Sequence, residues 1–140
     1  MPEARPVRVV YADEDAPYRT RLLRCLVASP AIDVVAVAVD GRAALDAIER
    51  HRPDVALVDL RTPGVGGLGI AEHIASHDPP LPTRVLLLAA LPVESSRRVL
   101  QAVGLSGIVD RASPRDDICA ALAAAGARNH RAVASGLAGG

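Results

Sequence analysis

The chain has 140 residues, 50% of them apolar and 23% charged, which is the size and composition of one globular domain that needs no disulfide or metal to hold its core. Sixteen basic and sixteen acidic side chains cancel, so no net field argues for DNA, RNA or an anionic membrane, and the balance excludes intrinsic disorder. Two cysteines, Cys25 and Cys119, build neither a disulfide framework nor a Cys-rich zinc site.

No apolar run reaches the ~18 residues of a membrane span, and the N-terminus lacks a charged-then-apolar leader pattern, so a cytoplasmic domain is expected. Every basic residue is Arg; there is no Lys, Phe or Trp, and the aromatics are Tyr11 and Tyr18. Chemistry that needs a lysine ammonium is therefore excluded from this chain.

Apolar runs without polar alternation, as in strands buried on both faces, occur at residues 7–11, 32–39, 55–58, 85–88 and 108–109. Helical spacing fills the intervals. Tyr18, Leu22, Cys25 and Leu26 share a face, followed along the chain by Leu45 with Ile48 and by Ile70 with Ile74. Leu100 pairs with Val103, and Ile118, Leu122 and Ala125 form the last such stripe. Asp40-Gly41 separates a strand from a helix, Pro53-Asp54 opens the third strand, and the run from Asp78 to Pro82 is a stiff loop into the fourth. Ser113 at an N-cap and Pro114 at the first helical position predict the start of the fifth helix, with Asp116 and Asp117 in its positive first turn. The pattern is (βα)5, an α/β fold with an open, doubly wound parallel sheet. It spans residues 1–127; residues 128–140 read as a linker or frayed tail.

In such sheets ligands bind beyond the carboxyl ends of the strands. Strand one runs into Asp13-Glu14-Asp15, strand three into Asp59, strand four into Ala89-Ala90 and strand five into Asp110-Arg111. Asp13, Glu14 and Asp59 are thereby expected over one sheet edge, where their repulsion requires a counter-charge. Oxygen ligands at an open site suit Mg²⁺, and a carboxylate beside that ion can attack phosphorus. Arg111 could bring a second cation from the opposite side. The plain alternative is that such strand-end carboxylates only cap helices.

The run Val9-Val10-Tyr11-Ala12-Asp13-Glu14, then Arg52-Pro53-Asp54 through Asp59-Leu60-Arg61-Thr62-Pro63-Gly64 to Gly67, resembles a bacterial response-regulator receiver domain. Asp40-Gly41 and Ala112-Ser113-Pro114 add to the likeness, which covers residues 7–127 and is most similar to the NarL/FixJ (LuxR-type) subfamily. The resemblance implies a flavodoxin-like sheet of strand order 2-1-3-4-5 with Asp59 as phosphoacceptor. It implies that Asp13, Glu14 and Asp59 bind Mg²⁺ with the backbone carbonyl of Arg61, and that Pro63 and Gly67 shape the loop after the acceptor. A sensor histidine kinase would supply the phosphoryl group. The fourth helix, fifth strand and fifth helix, residues 92–103 and 108–125, would form the partner face, with Leu91, Val93 and Val99 as an apolar patch. A homodimer is expected there, and DNA is expected to be reached only through an output domain not in this chain.

Three positions depart from the receiver pattern. Ala89 stands where a Thr or Ser hydroxyl binds phosphate, Arg111 stands in place of Lys, and Ile108 replaces the switch aromatic. A one-residue shortening after Arg111 leaves Asp110 as a second candidate to face the pocket. Without the hydroxyl and the ring, the coupling between phosphate and the partner face is weakened. Arg111, a planar fork, is expected to pair with Asp59 and slow phosphoryl transfer. The alternative reading is a pseudo-receiver, a dimerisation or interaction module independent of phosphate. A small hydrolase is disfavoured because no Gly-x-Ser-x-Gly elbow or Walker loop occurs.

The remaining polar residues have ordinary expectations. His51, His73, His77 and His130 are expected on the surface, with His73 and His77 a weak metal-site spacing. Ser95-Ser96-Arg97-Arg98 is expected to be solvated. Cys25 and Cys119, on neighbouring helices, are expected to be buried thiols rather than a disulfide.

Overall fold

The computed structural model describes residues 5–90 and 105–139, with side chains to residue 130. The strands are β1 (Val7–Ala12), β2 (Ile32–Ala38), β3 (Val55–Asp59), β4 (Arg84–Ala89) and β5 (Leu105–Asp110). The helices are α1 (Ala16–Ala28), α2 (Gly41–His51), α3 (Gly67–Ser76) and α4 (Arg115–Gly139), the last being the fifth helical stripe of the sequence. All neighbouring strands pair in parallel, in the order β2-β1-β3-β4-β5. The doubly wound order expected from the resemblance is the one found. Residues 91–104, which carry the expected fourth helix, its apolar patch and the Ser95–Arg98 run, lie outside the described residues.

Each central strand is apolar on both sides because helices cover both sheet faces. Val9 and Tyr11 of β1, Leu57 of β3 and Leu88 of β4 pack with Leu22 and Leu26 of α1 and Ile118 and Leu122 of α4. The alternate residues, Val10, Val58 and Leu87, pack with Ile48 of α2 and Ile70 and Ile74 of α3. A buried Val, Leu or Ile contributes about 1.5–3 kcal/mol over its exposed state, so these two layers dominate the stability of the sheet.

Local chemistry sets the helix starts. Asp15 caps α1 by accepting from Tyr18 N at 3.1 Å, and Asp40 caps α2 by accepting from Ala43 N at 2.8 Å. Gly41 has no room for a Cβ, which would overlap the backbone of Val65, so the loop after β3 sits directly on the start of α2. Gly41 N also donates to Pro63 O at 2.9 Å.

Two boundaries differ from the sequence reading. The last helix opens at Arg115, with Pro114 O accepting from Ile118 N at 3.2 Å, so Pro114 rather than Ser113 sits at the cap. It then continues to Gly139, where a linker or frayed tail was expected. Its apolar stripe stops near Ala127, but Asn129 is buried and donates Nδ2 hydrogen bonds to Pro82 O at 2.7 Å and Asp54 O at 3.2 Å. Polar contacts at the foot of the sheet, invisible to a search for apolar spacing, carry the helix onward. His130, expected on the surface, is largely buried, with Nε2 2.9 Å from Asp54 Oδ2.

Candidate functional site

The register of the sheet builds the site. Ala12 pairs with Val58 across β1 and β3, so the next residues, Asp13 and Asp59, emerge side by side at the carboxyl edge. Ala89 pairs with Asp110 across β4 and β5, which places Arg111 at the same edge. Arg111 N donates to Ala89 O at 2.9 Å, fixing the base of the arginine.

The guanidinium of Arg111 then bridges the carboxylates. Its Nη1 donates to Asp13 Oδ2 at 2.9 Å and to Asp59 Oδ2, and its Nη2 reaches Asp15 Oδ2 at 3.4 Å. Tyr18 of α1 supports it from below, with the guanidinium carbon 3.9 Å from the ring centroid. The Tyr18 hydroxyl also donates to Arg111 O at 3.0 Å. Such a stacked cation contributes about 0.5–2 kcal/mol, more as water is excluded.

The carboxylates are otherwise well bonded. Asp13 is fully buried and also accepts from the Tyr11 hydroxyl at 2.9 Å and from Asp15 N at 3.0 Å. Asp59, nearly buried, accepts from Arg61 N at 2.6 Å on Oδ1. Thr62 donates its hydroxyl to Asp59 O at 2.6 Å, which tightens the turn.

Two buried carboxylates share one guanidinium, and the charges do not balance. Burial pushes the Asp59 carboxyl above the usual aspartate range; the Arg61 N–H and the Arg111 charge oppose this, while Asp13 and Glu14 add to it. Burial alone would make Arg111 less basic, but the hydrogen bond to Asp13 and the charges of Asp13 and Asp59 outweigh it, so the arginine stays cationic. Desolvation raises the Tyr11 and Tyr18 phenols, which remain hydroxyl donors.

Glu14 and Asp15 are both exposed; Asp15 approaches the guanidinium, and the charge of Glu14 bears on Asp59. Asp13 ends the buried register of β1, and Asp15 caps α1. Asp110 does not turn into the cup; its Oδ1 accepts from Ala112 N at 2.9 Å. Ala89 is buried at the end of β4, and Ile108 is partly buried against the α2–α3 side of the core. Tyr18 and Asp15 were missed as site residues. The signal was present, since the chain's two tyrosines flank its densest acidic run.

The arrangement does not fit Mg²⁺. Asp13 Oδ2 and Asp59 Oδ2 already accept from Arg111, and their second oxygens accept backbone N–H groups. Among the described residues no group of three His, Cys, Asp or Glu side chains is placed to hold a metal ion. His73 and His77 instead meet Glu49 of α2, at 2.8 and 4.0 Å. The hydrogen bond from His73 holds the Glu49 carboxyl below its ordinary range.

Residues 9–123 match the family described as "Response regulator receiver domain". The chain belongs to that family. It is 39% identical over 141 residues to the "Probable transcriptional regulatory protein NarL" of Mycobacterium tuberculosis, a match covering 99% of this chain and 63% of that protein. The structure of the signal receiver domain of NarL from the same organism superposes with a TM-score of 0.81 and 38% identity, over 88% of this chain and 98% of that one. A "Protein-glutamate methylesterase/protein-glutamine glutaminase 2" of Anaeromyxobacter dehalogenans is 36% identical over 115 residues, 81% of this chain but 33% of that protein. The chain thus covers 63% of the NarL protein and 33% of the methylesterase, and what it shares with them is the receiver unit. No helix among the described residues is long and apolar enough to cross a membrane.

Proposed function

We propose that Asp59 is the phosphoacceptor of this receiver domain, and that its donor is the phosphohistidine of a sensor histidine kinase. The placement of Asp59 carries the reading: a buried carboxylate at the end of β3, beside Asp13 and bound to Arg111. In the transfer an Asp59 oxygen attacks phosphorus, an O–P bond forms, and the P–N bond breaks with its electron pair going to the imidazole. Arg61 N–H holds Oδ1 and orients the carboxylate, while the guanidinium of Arg111 supplies positive charge to the arriving phosphoryl oxygens.

That same contact is an obstacle. Asp59 Oδ2 must part from Arg111 Nη1 before it can react, so transfer is slow. No step is assigned to Mg²⁺, because the carboxylates of Asp13 and Asp59 already pair with the guanidinium of Arg111. The phosphorylated domain acts in the cytoplasm within a longer regulator that meets DNA through a separate output domain. It pairs with a second copy through a face that includes β5 and the first turns of α4. In this module the domain itself is a signalling unit; its own chemistry is limited to gain and loss of phosphate at Asp59.

Intact mass after incubation with a small-molecule phosphodonor, with and without Mg²⁺, tests the reading. Slow gain of one phosphoryl group, absent in Asp59→Asn, is the expected result. No gain over hours transfers the domain to the alternative, a phosphate-independent interaction module. Rapid gain that requires Mg²⁺ overturns the role given to Arg111.

A further inference from the structure

Away from this cup, on the α1–α4 seam, the fold brings together the chain's two cysteines. Cys25 of α1 and Cys119 of α4 are 94 positions apart, and their Sγ atoms lie 3.4 Å from each other. Both are free thiols, Cys25 half-buried and Cys119 at 9% exposure. Cys25 Sγ donates to Asp116 Oδ1 at 3.6 Å. A groove of about 420 Å³ opens onto the pair, lined by both cysteines, Asp116, Ser29 and small alanines such as Ala28 and Ala123.

Sequence reading treats these thiols as inert core residues, but packing alone does not need two sulfurs in contact at the floor of a groove. From 3.4 Å the atoms need approach by only roughly 1.4 Å to reach a disulfide bond of about 2.0 Å. The small lining side chains leave the sulfur of Cys25 open to a small oxidant.

We propose that Cys25 and Cys119 form a peroxide-responsive dithiol whose oxidation to a disulfide clamps α1 to α4. The sulfur of the Cys25 thiol attacks one oxygen of hydrogen peroxide; the O–O bond breaks, and the thiol's proton passes to the departing hydroxide, which leaves as water. The product is a sulfenic acid on Cys25. Cys119 then attacks Sγ of Cys25, the S–O bond breaks, and a second water leaves with the Cys119 proton. Each peroxide is reduced by two electrons to two waters as the two thiols become one disulfide. Burial, reinforced by the Cys25 contact and by Asp116, pushes the Cys119 thiol up to about 12. Cys119 is also the more deeply buried of the two, so half-buried Cys25 is the sulfur that meets peroxide first.

The clamp has a structural consequence for the domain. Tyr18 lies seven residues before Cys25, two turns earlier on the same stripe of α1, and it carries the Arg111 guanidinium. α4 begins directly after the turn that follows Arg111. A covalent tie between the helices thus braces the seam that holds the cup, in a cytoplasm where persistent disulfides are rare and transient ones report oxidation. The proposal is independent of phosphate at Asp59.

The reduced full chain, treated with hydrogen peroxide and then alkylated, tests it. The expected monomer loses two hydrogens, carries no alkyl group, and yields tryptic peptide 25–42 joined to peptide 116–128. Its Tm rises by roughly 10 °C, as closing a long loop predicts, and dithiothreitol reverses the change. Cys119→Ser accumulates a dimedone-trappable sulfenic acid on Cys25, and Asp59→Asn forms the disulfide as the parent chain does. Two alkylatable thiols after peroxide, oxygen added without a joined peptide, or a disulfide between two chains would each overturn the proposal.

Discussion

Arg111 donates a hydrogen bond of 2.9 Å to Asp13, 98 positions earlier in the chain. The same nitrogen also binds Asp59, so one guanidinium joins the ends of β1, β3 and β5. Its side chain is 19% exposed, against 0% for Asp13 and 10% for Asp59, so water does little to screen the cluster.

Removing the cation leaves two buried carboxylates facing each other. Arg111→Ala is expected to lose about 3 kcal/mol of stability in urea unfolding without divalent ions. With millimolar Mg²⁺ part of that loss returns, because the ion enters the space the guanidinium held. The parent chain shows little Mg²⁺ effect in the same titration. Equal Mg²⁺ stabilisation of both proteins would contradict the view that Arg111 holds the cation position.

The raised Asp59 carboxyl gives a pH dependence with a definite sign. A carboxyl whose folded pKa exceeds its unfolded value binds its proton more tightly in the folded state, so its contribution falls as pH rises from the ordinary aspartate range through the raised value. Asp59→Asn removes this loss. Its stability relative to the parent is expected to improve as pH rises across that window and to level off above it. Urea unfolding at successive pH values from acid to neutral measures the difference, and a difference moving the other way would mean that the Arg111 pairing outweighs burial.

Ala89 gives no hydroxyl to a phosphoryl group on Asp59. Ala89→Ser places one at the end of β4, and a hydrogen bond to a charged acceptor contributes about 1.5–3 kcal/mol. The acyl phosphate of this variant is expected to persist roughly tenfold longer than that of the parent, read by intact mass after the donor is removed. Equal lifetimes would show that the end of β4 does not face the phosphate.

At the opposite end of the sheet, Asn129 satisfies the backbone carbonyls of Pro82 and Asp54. Asn129→Ala leaves Pro82 O without that donor, while Asp54 O keeps Arg84 N, and is expected to cost about 1–3 kcal/mol. Amide exchange should accelerate first in the residues of α4 beyond Ala127. An unchanged protein would place that part of the helix outside the cooperative fold.

Periodicity exposed the strands and most helices because each buries a continuous apolar face, and that face is written in neighbouring residues. β5 was under-read, as residues 108–109 rather than Leu105–Asp110, because Ser106 and Gly107 interrupt its apolar run. The end of α4 was under-read for the opposite reason: its anchor, Asn129, is polar. Asp15 was left out of the cup because its role as the cap of α1 gives no local sign that it also reaches Arg111.

The order of residues alone determined an α/β sheet with acidic groups at its strand ends and no lysine to pair with them, while resemblance to the family supplied the receiver reading and the arginine in the lysine's position. The first of these are properties of composition and local pattern, and they survive without coordinates. Which carboxylates share the guanidinium, that Tyr18 carries it, and that Cys25 meets Cys119 were decided only by tertiary structure. Strand register and helix packing bring together groups separated by more than ninety residues, and no local spacing encodes that meeting.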